Sequence, residues 1–113
     1  MELMLFLQCY YIGFMPVIYE YLGIIISFWS KEHEPIHIHA SYNGATVKVI
    51  LYVKEGRVYR VSYKPDGGKF PEAKMRQLKD FVSVYKQALL YAWLQFFDNQ
   101  VQIKTIKITK KIK

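Results

Sequence analysis

The three histidines of the chain fall within seven residues, in the run His33-Glu34-Pro35-Ile36-His37-Ile38-His39-Ala40. Imidazole can hold a divalent metal when neutral, carry a proton near neutral pH, or meet a phosphate when protonated. Side chains two apart on a strand share a face, so an extended Ile36–Tyr42 sets His37 and His39 side by side, about 7 Å apart along the backbone. The motif His33, Pro35, His37 and His39 is therefore the first candidate site. In its metal form, His37 and His39 are the ligands of an ion such as zinc, and His33, Glu32 or Glu34 completes an open site. Catalysis would then be that of a metal-dependent hydrolase or nuclease using His33, His37 and His39. No serine or cysteine nucleophile stands in a recognisable local motif, so a non-enzymatic role is preferred. The bland alternative is that the imidazoles bond to backbone or tyrosines and stiffen a strand.

Basic residues are the second candidate. Lys48, Lys54, Arg57, Arg60 and Lys64 are interleaved with Tyr52, Tyr59 and Tyr63, and Lys104, Lys107, Lys110, Lys111 and Lys113 crowd the tail. A sheet carrying tyrosine and arginine can follow a phosphate backbone and stack bases, which makes Arg57, Arg60, Lys104, Lys107, Lys110 and Lys111 candidate DNA or RNA contacts. Lysines on hairpins also serve only to solubilise edge strands, and the tyrosines can equally be core. The third candidate is a partner surface on Tyr91, Trp93, Phe96 and Phe97, which suit an interface, a homodimer included, as well as a core. Asp66-Gly67-Gly68-Lys69 lacks the spacing of a phosphate-binding loop and reads as a turn.

The elements that position these residues follow from periodicity. Val17–Trp29 is apolar on both faces apart from Glu20 and Ser27, as in a central strand covered on both sides. Asn43-Gly44 and Glu55-Gly56 are hairpin turns joining Ile36–Tyr42, Ala45–Val53 and Arg57–Tyr63. In the last of these, Tyr59, Val61 and Tyr63 alternate with Val58, Arg60 and Ser62. Pro71 and Glu72 suit a helix start, and Met75, Leu78, Val82, Tyr85, Leu89, Ala92 and Phe96 recur at helical steps as far as Asp98. The second half of that helix is apolar nearly all round, which predicts either a break and a fold back or a subunit interface. The tail beyond Asn99 reads as an edge strand or a basic arm. The fold class expected is α+β: an antiparallel meander of three to four strands with one long or broken C-terminal helix on one face.

The chain has 113 residues, 52% of them apolar and 17% aromatic, enough for one small core. Its net charge of +7 is concentrated in residues 100–113, which hold five lysines and no acid. Cys9 is the sole cysteine, so an intramolecular disulfide is excluded and a cytoplasmic setting is expected. The apolar run Leu3–Phe14 is too short to span a bilayer and lacks the pattern of a secretory signal, so no membrane is expected as partner.

From Met15-Pro16-Val17-Ile18, through Gly23–Phe28, to the histidine run and Tyr42, the chain resembles a family of short bacterial proteins catalogued as domain-of-unknown-function family 4160. The His-x-Pro-x-His-x-His core carries the likeness, and the hairpins and helix are weaker matches. Ile36 stands where the family usually has a second proline, Ile38 where an aromatic is common, and residues 1–14 have no counterpart. The resemblance implies a natural start at Met15, with 1–14 an upstream extension and 15–113 a single domain whose basic tail is 99–113. It further implies one member of a two-gene, toxin–antitoxin-like or transposon-related system, with DNA or a protein encoded by a neighbouring gene as partner.

Overall fold

The computed structural model describes residues 16–28, 36–99 and 103–112. His33, Pro35 and the segment 1–14 lie outside the described residues. Among the described residues six strands form one sheet: β1 (Val17–Tyr21), β2 (Ile24–Phe28), β3 (Ile36–Tyr42), β4 (Ala45–Lys54), β5 (Arg57–Pro65) and β6 (Ile106–Ile108), with α1 (Glu72–Trp93) on one face. Their order across the sheet is β5-β4-β3-β2-β1-β6. Neighbours from β1 to β5 are antiparallel. The tail returns to pair β6 parallel to β1, Tyr19 opposite Ile106 and Tyr21 opposite Ile108. The fold is α+β as expected, with more strands than the three or four anticipated.

One extra strand is β6, and the other arises because Val17–Phe28, expected within one central strand Val17–Trp29, is a hairpin. Leu22 (φ 51°) and Gly23 (φ 87°) reverse the chain between β1 and β2, as Asn43-Gly44 and Glu55-Gly56 do in the next two hairpins. Both central residues of such a turn need positive φ, and leucine there runs against its intrinsic preference. Tertiary contacts outweigh that cost: Lys74 of α1 donates to the Leu22 carbonyl at 2.7 Å, and its ammonium lies 4.8 Å from the Tyr42 ring.

Alternation along β2, β3 and β4 sends Ile24, Ile26, Phe28, Ile36, Ile38, Ala40, Val47, Val49 and Leu51 into the core under α1. The helix supplies Leu78, Phe81, Val82, Leu89, Leu90 and Trp93. Phe81 stacks on Tyr21 at 5.3 Å, and Tyr19 meets Phe81 and Tyr85 edge-on at 5.2 Å each, so rings join the helix to β1. Helix α1 does not fold back. It runs on into a single π-helical turn, Leu94–Asp98, closed by the Asn99 amide donating to the Leu94 carbonyl at 3.2 Å. The wider turn brings Phe96 and Phe97 each to 5.4 Å from Phe28. Most of the aromatic second half is thus core, while Tyr91 is 64% exposed.

Among the described residues, no helix is long and apolar enough to cross a membrane.

Candidate functional site

The face of the sheet opposite α1 is built by the residues that alternate with the core. Cross-strand register turns them into rows. Ser27, His39, Lys48 and Lys64 are successive partners across β2, β3, β4 and β5. At about 4.8 Å per strand this row spans about 14 Å. Alongside it run His37, Ile50 and Ser62, and beyond them the pair Tyr52 and Arg60.

His37 and His39 share this face, as the alternation requires. The Nδ1 atom of His37 is sealed from solvent. Burial holds the His39 imidazole below its ordinary range, Asp66 pulls it back up, and Lys48 pushes it further down. Lys48 directly opposite His39, with Lys64 beyond it, sets two cations in this row against the single Asp66 carboxylate that acts on His39, a balance that suits an anion better than a divalent cation. Among the described residues, no group of three His, Cys, Asp or Glu could hold a metal ion. The remaining candidate ligands His33, Glu32 and Glu34 lie outside the described residues.

The other end of the face is aromatic. The Arg60 guanidinium sits 4.6 Å from the centre of the Tyr52 ring, and the Tyr52 hydroxyl is 3.3 Å from Ser62 Oγ. The β4–β5 ladder is irregular here. Leu51 faces Val61 and Tyr52 faces Arg60, yet Val53 faces Val58, which leaves Tyr59 as the extra residue of a β-bulge. The bulge reverses the phase expected for β5: Val58 turns into the core, while Tyr59 is 62% exposed with its ring 6.5 Å from that of Tyr52. Tyr63 is not on this face. It pairs with Val49 on the helix side, under Lys79, where burial pushes its phenol up to about 12.

The two basic groups are not brought together. Arg57 and Arg60 lie on β5 and Lys107 on β6, at opposite edges of the sheet. Five strand spacings separate these edges, about 24 Å. Lys107 lies 3.7 Å from the Glu20 carboxylate, an exposed pair of little energetic weight. Lys111 lines a groove with Arg76, Gln77 and Asp80 of α1, and Lys104 lines another with Tyr91, Ile103 and Ile106. Lys110 is exposed just beyond β6.

The profile of the domain of unknown function DUF4160 matches residues 23–94. The chain belongs to this family. No curated protein and no solved structure matches it. The DUF4160 span takes in β2 to β5 and α1, hence every residue of the rows above, while β1, β6 and the tail lysines lie outside it.

Proposed function

We propose that this DUF4160 chain is a nucleic-acid-binding module, the DNA- or RNA-contacting component of a two-gene system, and that it binds through the face of its sheet opposite α1. The single observation that carries this reading is the charge of the meander that forms the face. From Ile36 to Lys64 it contains five Lys or Arg and one acid, Glu55. Lys48, Lys64 and Arg60 are in register on one side of it. Such a surface neutralises phosphates and releases their counterions, so its affinity must fall with salt. Lys48 beside His39 is why anion binding is preferred to the metal-dependent hydrolase reading.

The test is an anisotropy titration of the full chain with labelled oligonucleotides across a salt series. Binding should weaken steeply with salt, and removing two cations in Arg60→Gln/Lys64→Gln should lower the log–log slope by about 1.4 on a single strand. Absence of binding at low ionic strength would sink the proposal.

A further inference from the structure

We propose that the ligand of this face is single-stranded, with bases stacking on Tyr52 and Tyr59 while Arg60, Lys64 and Lys48 follow the backbone. The inference rests on the nucleic-acid reading above and adds the strand state and the base-contacting residues.

Shape argues first. A duplex is read by an α-helix or a narrow two-stranded ribbon that enters its major groove, about 12 Å wide, and a sheet face four strands across, about 14 Å, does not enter it. On this face the described elements are strands alone, and α1 is committed to the opposite side through its buried stripe. A sheet surface instead offers side chains standing upright, against which an unpaired base can lie flat, and in other folds aromatic residues on a sheet face stack two or three bases.

The aromatic cluster argues next. Tyr59 leaves most of its ring exposed at the bulge while standing within ring-contact range of Tyr52, and Arg60 covers the Tyr52 ring. Two rings and a guanidinium form a stacking platform that is indifferent to base identity, since every base has a π face. The base faces of a duplex are already occupied by their neighbours, so the platform is useful only to an unpaired strand.

Spacing completes the argument. Lys64 is four residues from Arg60 on β5, about 14 Å along the strand. Lys48 is likewise four residues from Tyr52 on β4, and the two strands are in register throughout this stretch. The platform therefore lies at one end of a basic strip, with Ser62 and the Tyr52 hydroxyl between them able to bond base edges. A strand laid along β4 and β5 meets aromatic surface first and positive charge after it.

The experiment compares labelled oligothymidylate, oligouridylate and a duplex, each about twelve nucleotides long, at one fixed low salt, for wild type, Tyr59→Ala and Tyr59→Phe. Tyr59 is largely exposed, so both variants should fold, and circular dichroism checks that they do. Single strands should bind at least about tenfold more tightly than the duplex, Tyr59→Ala should lose about 5- to 150-fold on single strands, and Tyr59→Phe should retain binding. Preference for either the ribose or the deoxyribose strand supports the proposal and identifies the polymer. Equal or tighter duplex binding, or single-strand binding indifferent to Tyr59→Ala, overturns the inference and leaves the nucleic-acid reading standing. No binding to any of the three overturns both.

Discussion

His39 joins the chemistry of the face to its stability. Its pKa in the folded chain is held below the ordinary value of 6.5, first by burial and then by Lys48, with Asp66 opposing. As pH falls through 6.5 the unfolded chain takes up a proton at this site that the folded chain resists. The contribution of His39 is therefore complete above 6.5 and is lost as pH drops through the depressed folded value. Denaturant midpoints measured between about pH 7.5 and pH 5 should fall on acidification, and His39→Gln should flatten that fall. An unchanged slope in the variant would remove His39 as its source. Both histidines and their shared face were legible in the sequence, because strand alternation alone decides which side a residue takes. Their lysine neighbours were not, because Lys48 meets His39 only through the register of β3 and β4.

At the scale of elements, α1 reaches round to hold the turn that carries the aromatic cluster. Gln87 accepts a hydrogen bond from the Val58 amide at 2.6 Å and approaches the Gly56 carbonyl at 3.4 Å. Val58 is buried beside the bulge, so losing this partner should be felt there. Gln87→Ala should cost about 1 kcal/mol of unfolding free energy and accelerate hydrogen exchange at the Val58 amide. Exchange unaltered at Val58 would mean that the strap contributes nothing. The hairpin turns at Asn43-Gly44 and Glu55-Gly56 could be read from residue type, since asparagine and glycine accept positive φ. The turn at Leu22-Gly23 could not, because leucine gives no such signal and its conformation is held by Lys74, more than fifty residues away. The bulge at Tyr59 was hidden for a similar reason: one extra residue in the β4–β5 ladder reverses the phase that simple alternation assigns to Val58 and Tyr59.

The two basic groups, meander and tail, lie at opposite edges of the sheet, and only the first falls within the DUF4160 span, while Lys74, Arg76, Lys79 and Lys86 put further positive charge on α1. The tail has structural duties of its own. Thr105 Oγ1 donates to the Val17 carbonyl at 2.7 Å, and the Ile112 amide donates to the Tyr21 hydroxyl at 2.9 Å. Replacing Lys104, Lys107, Lys110 and Lys111 together by glutamine should therefore leave oligonucleotide affinity within about threefold at moderate salt, because charges beyond a Debye length of about 8 Å are screened from the face. Affinity collapsing in that variant, with Arg60→Gln/Lys64→Gln silent, would move the interface to the tail. The sequence by itself determined the α+β class, the meander from Ile36 to Tyr63, the helix and the core-facing residues of β3 and β4. Those follow from local periodicity and turn chemistry, which act over a few residues. Only the tertiary structure decided the hairpin within Val17–Phe28, the parallel return of β6, the phase of β5 and the separation of the basic groups. Each of these depends on pairings between residues distant in the chain, and such pairings leave no periodic trace in the sequence.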